Sequence, residues 1–175
     1  GEDARLFKAV KGASDFACAL GINIPTGKDS MSMTQKYPDG EKVLSPGTVI
    51  ISTVAPVEDI NKIVHPVLEN NPDSSLLYIP FVNSAASAGL GAGKESFPLG
   101  GSAFAQIIDQ VGNVVPDVED PAYFGAAFAA VQELVGKNLV LAGHDISAGG
   151  LVTAALEMCF ANVNGGLAIN ARALQ

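Results

Sequence analysis

The residues best suited to chemistry are His144, Asp145 and Ser147, which stand together in a short polar turn. The turn follows the apolar run 139–142 and leads through a double glycine into the helical pattern 151–161. The first amide groups of a helix have no acceptor within the helix, so they and the positive end of the helix dipole favour an anion. A carboxylate at the end of a strand is also where α/β folds place ligands of a magnesium–nucleotide complex. The pattern predicts Asp145 as a metal ligand and Ser147 as a phosphate donor.

Less specific interpretations of the same turn remain open at this point. A lone histidine beside the end of a strand, such as His144, is more often a hydrogen-bonded structural residue than a base or a metal ligand. A hard cation takes several oxygen ligands, and the further candidates are Glu157 on the following helix and Asp29. Because the chain has only two histidines, His65 and His144, no zinc site is expected.

A second polar stretch, Gly27-Lys28-Asp29-Ser30, resembles a phosphate-binding loop only superficially. That loop needs a glycine five positions before a Gly-Lys pair, then a hydroxyl residue and a helix, whereas here Asp29 follows Lys28 and the next residues alternate as in a strand. Lys28 and Ser30 could still contact a phosphate, and Asp29 a metal. The alternative is a solvated, salt-bridged turn. At Leu99-Gly100-Gly101-Ser102, an ordinary serine N-cap is favoured over a phosphate site.

The elements that must position these residues alternate between helix and strand. Apolar spacing predicts helices over 4–20 with a stop at Gly21, over 57–68, after the double glycine of 99–108, over 121–136 and over 151–161. Strands are predicted around a turn at Gly27, over 48–55, 76–81, 139–142 and 165–170, with a hairpin tip at 38–40 and a mobile loop at 83–93. The alternation indicates an α/β or α+β fold.

Composition excludes several classes of protein. The net charge is −8 with no cluster of basic residues, so nucleic-acid binding is not expected. No apolar run reaches the roughly 18 residues that a membrane span needs. Cys18 and Cys159 lie in apolar helical patterns and are predicted to be buried thiols, which fits a reducing, cytoplasmic compartment. Apolar residues make up 48% of the chain, which predicts that part of its surface faces a partner or further sequence.

Four stretches, in order, resemble the phosphoribosylformylglycinamidine synthase family of purine biosynthesis. They are Gly1-Glu2-Asp3-Ala4-Arg5-Leu6, Gly27-Lys28-Asp29-Ser30-Met31-Ser32-Met33, Leu99-Gly100-Gly101-Ser102-Ala103 and His144-Asp145-Ile146-Ser147-Ala148-Gly149-Gly150-Leu151. The second stretch resembles a signature of the second, degenerate half of the family's synthetase region. With no initiating methionine, the chain is expected to be an internal piece of that half.

The resemblance implies an aminoimidazole-ribonucleotide-synthetase-like fold of the α/β (α+β) class. Residues 1–57 would end its N-terminal subdomain, 58–75 would form a linker, and 76–175 would begin its C-terminal subdomain. The family is a ligase that uses ATP, Mg²⁺ and glutamine to convert formylglycinamide ribonucleotide to formylglycinamidine ribonucleotide. Its glutamine amidotransferase domain and first synthetase half would lie elsewhere in the same polypeptide, so this chain alone is expected to be inactive.

The resemblance also assigns roles within the chain. Asp145 would bind Mg²⁺ and Ser147 would contact ATP or ADP directly, at an auxiliary, structural site. From their residue types, Lys28 and Ser30 are predicted as further nucleotide-binding residues. The departure is Ala148, where the family usually has aspartate, so this chain lacks the carboxylate that could make a second metal contact there. The alternative is a degenerate scaffold half with no ligand. Stand-alone relatives of the selenide-kinase or thiamine-phosphate-kinase type are not expected to carry the Gly-Lys-Asp-Ser-Met-Ser-Met stretch.

Overall fold

The computed structural model describes residues 2–28, 33–45, 47–81, 98–118 and 120–170. The chain separates into two units, Gly1–Val57 and Glu58–Gln175. The assignment of 1–57 and 76–175 to two synthetase-like subdomains, with 58–75 as their linker, stays a prediction. Secondary structure in the described residues is mixed helix and strand.

The first unit begins with helix α1, Glu2–Leu20. Its predicted stop at Gly21 is confirmed, because Gly21 adopts φ +69°. The amide of Gly21 donates to the carbonyl of Cys18 at 3.1 Å, and the amide of Ile22 donates to that of Ala17 at 2.9 Å. This pair of bonds is the Schellman arrangement, which satisfies the last carbonyls of a helix and favours glycine at the left-handed position.

A β-hairpin follows in the first unit. Strands β1 (Thr34–Lys36) and β2 (Lys42–Leu44) pair antiparallel, with Gln35 opposite Val43. The predicted tip at 38–40 is confirmed, since the amide of Gly40 donates to the Tyr37 carbonyl at 3.0 Å and Gly40 has φ +92°. This positive φ suits glycine, which has no Cβ to clash with its own backbone.

The second unit contains three described helices, α2 (Ala103–Ile107), α3 (Pro121–Gly136) and α4 (Gly150–Phe160). All three were predicted. The carboxylate of Asp120 caps α3 by accepting from the amides of Ala122 at 2.9 Å and Tyr123 at 3.0 Å. At the other end of α3, the Lys62 ammonium donates to the Gly136 carbonyl at 2.8 Å. Both contacts place charge where the helix dipole favours it.

The predicted strands over 48–55, 76–81, 139–142 and 165–170 are wrong, because none of these segments forms a strand. Of the strand predicted around the turn at Gly27, the described residues 22–28 also form no strand. The only sheet of the described residues is the two-stranded hairpin. A strand exists through hydrogen bonds to a neighbour, so β-branched composition alone does not create one. The side chains of 48–55 accordingly lie open, with Val54 100% and Ile50 85% exposed.

The predicted helix over 57–68 is also wrong, and Asp59 provides the local reason. Its carboxylate accepts a hydrogen bond from the amide of Asn61 at 2.9 Å, and its carbonyl accepts one from the amide of Lys62 at 3.1 Å. Such side-chain bonds offer the backbone a turn in place of a helix. The backbone bond from Asn61 also holds the pKa of Asp59 below its ordinary value of 3.8.

Buried side chains of the second unit lie on α2 and α4. Among the described residues they are Ala105, Ala154 and Met158. The amide of Leu68 donates to the Met158 carbonyl at 3.0 Å, so the segment before residue 70 is fastened to the end of α4. Cys159 is half-buried, but the predicted burial of Cys18 is wrong because its position on α1 is exposed.

Two further predictions concern the loop at 83–93 and membrane-spanning helices. The predicted mobile loop at 83–93 lies outside the described residues. Within the described ranges, no helix is both long and apolar enough to cross a membrane.

Candidate functional site

The polar turn before α4 presents two of the predicted ligands on its outer side. The side chain of Asp145 is 84% exposed, and Ser147 is also exposed. The amide of Gly150 donates to the Ser147 carbonyl at 3.0 Å, which closes the turn directly before the helix. The structure therefore brings Asp145 and Ser147 together at the entrance of α4.

The start of α4 is open to a ligand. Its N-cap residue is Gly149, and no described side chain makes a capping hydrogen bond there. An uncapped first turn leaves backbone N–H groups available to an anion at the positive end of the helix dipole. The Gly150 amide already donates to the Ser147 carbonyl, so the donors in question are the amides that follow it. The Thr153 hydroxyl donates to the Gly149 carbonyl at 2.8 Å and so occupies an acceptor and no donor.

Backbone contacts hold both ends of the turn. Before it, the amide of Gly143 donates to the His65 carbonyl at 3.1 Å. After it, the Ala148 carbonyl accepts from the amide of Ala103, the first residue of α2, at 2.9 Å. The loop 99–103 and the polar turn, which were separate motifs in the sequence, are therefore direct neighbours.

Ser102 belongs to the structure of that loop. Its hydroxyl accepts from the amide of Ala105 at 3.1 Å and caps α2. The favoured interpretation of Leu99–Ser102 as an ordinary serine N-cap is thus confirmed.

His144 points inward from the turn, and its side chain is 18% exposed. Its Nδ1 lies 2.7 Å from the Asp145 carbonyl oxygen, and its Nε2 lies 3.0 Å from a carboxylate oxygen of Glu157 on α4. The structural interpretation of His144 is the one that this geometry supports. The pairing of Glu157 with His144 also engages a carboxylate that was a candidate for the metal.

The donor set for a metal is small. The described residues contain no group of three or more His, Cys, Asp or Glu side chains that could hold an ion. Asp145 supplies one exposed carboxylate, an oxygen ligand of the kind Mg²⁺ prefers. Magnesium that arrives with a nucleotide commonly needs only one or two protein carboxylates, because phosphates and water complete its shell. Asp145 therefore fits a magnesium–nucleotide complex better than a free ion.

The described residues do not test the two other predicted site residues. Lys28 is exposed in the irregular segment 22–28 of the first unit. Ser30, like the metal candidate Asp29, lies outside the described residues. Their predicted roles stay predictions.

Sequence reasoning missed two contacts at the site, the His144–Glu157 pair and the bond from Ala103 to Ala148. A signal for the first existed, because Glu157 is the one charged residue within the otherwise apolar and small sequence of α4. A lone carboxylate in such a helix indicates a polar partner. The second contact joins two backbone groups and leaves no mark in the side-chain sequence.

Two family models match the chain. Residues 1–56 match the FGAR-AT PurM_N-like domain. Residues 91–172 match the C-terminal domain of AIR synthase related proteins, a range that includes α2, α3, α4 and the polar turn. Together the two matches define an AIR-synthase-like fold for the chain.

Relatives narrow this class to one enzyme family. An Arabidopsis thaliana protein named probable phosphoribosylformylglycinamidine synthase, chloroplastic/mitochondrial, is 43% identical over 94% of this chain and 11% of its own length. The probable synthase of Caenorhabditis elegans is 41% identical over 92% of the chain and 12% of its own length. The phosphoribosylformylglycinamidine synthase of Drosophila melanogaster is 41% identical over 94% of the chain and 11% of its own length. The chain belongs to the phosphoribosylformylglycinamidine synthase family and spans about a tenth of these relatives' length. The comparison with solved structures gave no significant match.

Proposed function

We propose that this chain is part of an ATP-dependent ligase that converts formylglycinamide ribonucleotide and glutamine to formylglycinamidine ribonucleotide in purine biosynthesis. The names of the relatives support the synthase role. In the reaction, ATP phosphorylates the formamide oxygen, and ammonia from glutamine then displaces that phosphate. The glutaminase and the first synthetase half belong to the proposed remainder of the polypeptide, so the 175-residue chain alone is inactive.

Within that enzyme, this segment contributes part of an auxiliary site for a magnesium–nucleotide complex. The observation that carries the proposal is the joint exposure of Asp145 and Ser147 beside the uncapped start of α4. Asp145 would hold Mg²⁺, which neutralises phosphate charge when bound. Ser147 and the amides that follow Gly150 at the start of α4 would donate hydrogen bonds to phosphate oxygens. Lys28 and Ser30 are proposed as further nucleotide contacts.

A titration of the chain with Mg²⁺–ADP by calorimetry tests this site. We expect binding by the unaltered chain and a loss of about tenfold or more in affinity for Asp145→Asn, which keeps the shape but removes the charge that a metal needs. Asp117→Asn is the matched control, because Asp117 is another exposed aspartate of the same unit that lies outside the turn. Equal affinity for Asp145→Asn and the unaltered chain would refute the assignment.

The second candidate is a scaffold half that has kept the turn and lost the ligand. Ala148 favours it, because the related motif usually has aspartate at this position. Ala148 is exposed, so a longer side chain can be tolerated there. If the site is functional, Ala148→Asp should strengthen Mg²⁺–ADP binding by about tenfold and Ala148→Asn should not. A folded chain that binds no Mg²⁺–ADP, even with Ala148→Asp, supports the scaffold.

A cytoplasmic location is likewise part of the proposal. The name of the Arabidopsis thaliana relative assigns that protein to chloroplasts and mitochondria, so related chains need not share one compartment.

A further inference from the structure

His144 and Asp145 are neighbours in sequence and in space, because Nδ1 of His144 lies 3.4 Å from a carboxylate oxygen of Asp145. The side chain of His144 is 18% exposed, whereas that of Asp145 is 84% exposed. His144 is therefore placed to act on the turn from within, and Asp145 to meet a ligand outside it. Besides this approach to the Asp145 carboxylate, two closer contacts of the imidazole ring show how such an action would be transmitted.

The first ring contact fixes a peptide group. Nδ1 lies 2.7 Å from the Asp145 carbonyl oxygen, and because a carbonyl oxygen can only accept, Nδ1 is the donor. This carbonyl belongs to the same residue as the exposed carboxylate. Holding the carbonyl restricts the backbone of Asp145, and with it the direction in which its Cβ and carboxylate leave the chain.

The second ring contact anchors His144 to the helix. Nε2 lies 3.0 Å from the carboxylate of Glu157, which is on the second turn of α4. Hydrogen bonds to Gly143 and Ala148 hold the two ends of the turn, and the chain His144–Glu157 connects its middle to α4. Asp145 is therefore held in place by contacts to α4, the helix whose N-terminus would face the bound nucleotide.

We propose that His144, held by Glu157, is a positioning residue that aims the Asp145 carboxylate at the metal of a bound magnesium–nucleotide complex. The inference rests on the nucleotide site proposed above. His144 itself touches neither nucleotide nor metal. It acts in the way of the outer partners that orient a metal ligand, whose loss commonly lowers metal affinity 10- to 100-fold.

The test compares ADP binding with and without Mg²⁺, since positioning of Asp145 concerns the metal alone. In the unaltered chain, Mg²⁺ should strengthen ADP binding. We expect this gain to fall about tenfold in His144→Ala and in Glu157→Ala, while metal-free ADP affinity changes less than about twofold. His144→Asn retains a donor near the position of Nδ1 and should recover part of the gain. A merely structural role would weaken both forms of ADP binding together.

Thr153→Val is the matched control, because it removes another hydrogen bond to the turn, the 2.8 Å bond to the Gly149 carbonyl. General loosening of the turn would make this variant resemble His144→Ala, and that result would overturn the proposal. If Mg²⁺ strengthens ADP binding as much in His144→Ala as in the unaltered chain, the positioning role is overturned and the proposed nucleotide site still stands. If the unaltered chain binds no ADP, both the nucleotide site and the positioning role of His144 are overturned. If His144→Ala loses the helical circular dichroism signal, His144→Asn and Glu157→Ala decide by the same criterion.

Discussion

Gly100 offers the sharpest test of how the loop beside the polar turn is built. It is buried, and its amide donates to the Val114 carbonyl at 2.8 Å. A Cβ placed on Gly100 would lie 2.5 Å from that same carbonyl oxygen and 2.8 Å from its carbon. Both atoms are backbone, so no rotamer change can relieve the contact. The backbone of residue 100 or 114 must move, and the hydrogen bond between them must lengthen or break.

The magnitude follows from these contacts. Overpacking of this kind costs about 1–3 kcal/mol, and a lost hydrogen bond about 1 kcal/mol. The lower entropy of the unfolded alanine chain offsets about 0.4–1 kcal/mol. We expect Gly100→Ala to lower the free energy of unfolding by about 2 kcal/mol, which corresponds to a Tm about 4–8 °C lower for a chain of this size.

Two other glycines separate the causes. Gly101 has φ +74° and open space around a built Cβ, so Gly101→Ala adds backbone strain of about 1–2 kcal/mol without a clash. Gly136, the last residue of α3, has open space and no positive φ, so Gly136→Ala should stabilise by about 0.5 kcal/mol. Urea denaturation followed by circular dichroism gives all three values. The reasoning is refuted if Gly100→Ala is as stable as the unaltered chain, or if Gly136→Ala is the most destabilising of the three.

Two further predictions concern local hydrogen bonds. Asp120→Ala should destabilise the chain by about 1 kcal/mol in urea denaturation, because two amides at the start of α3 lose their acceptor. Asp120→Asn keeps an acceptor and should cost only a few tenths of a kcal/mol. Equal losses of stability in the two variants would contradict the capping role. Asp59 should titrate below 3.8 in a carbon-detected NMR titration, because the bond from the Asn61 amide favours its charged form. Since the pKa of Asp59 is lower in the folded chain, its carboxylate stabilises the fold above pH 3.8, and this contribution is lost as the pH falls through the pKa of the folded chain. A measured pKa at or above 3.8 would contradict the prediction.

The helices could be predicted because their signals are local. The start of α3 is specified by Asp120 and Pro121, adjacent residues that cap and begin a helix, and its apolar stripe repeats within the same segment. The end of α1 is specified by Gly21 alone. Where a local side chain competes with the helix, as Asp59 does in the segment 57–68, the apolar spacing misled the prediction.

The strands could not be predicted in the same way, because a strand is completed by a partner distant in sequence. The hairpin β1–β2 was found through its tip, where the partner is only a few residues away. The run 48–55 has strong β propensity and no such tip, and its side chains remain open in the first unit. Propensity describes how well a residue fits a pleated surface; it does not supply the neighbouring strand.

At the site, the sequence indicated the residues of the turn and missed the contact between His144 and Glu157. Asp145 and Ser147 were identified by residue type, because carboxylate and hydroxyl groups beside a helix start suit metal and phosphate. The partner of His144 lies 13 positions along the chain, and only the fold of α4 over the turn brings Glu157 to it. Type and spacing therefore predict what a turn can bind, while the contacts that brace it depend on tertiary packing.

The separation between ligand-facing side chains and the backbone contacts that hold the turn explains how a degenerate synthetase half could lose a ligand and keep its shape. Ala148 contributes to the turn through its carbonyl, which accepts from Ala103, and any residue at position 148 can make that bond. An aspartate replaced by alanine there costs a possible metal contact and leaves the brace unchanged. The same holds for Ser147, whose side chain is exposed. Fold and ligand binding thus depend on different atoms of one turn, so retention of the turn does not decide between a nucleotide site and a scaffold. The metal dependence of ADP binding does, because only the outward carboxylate can produce it.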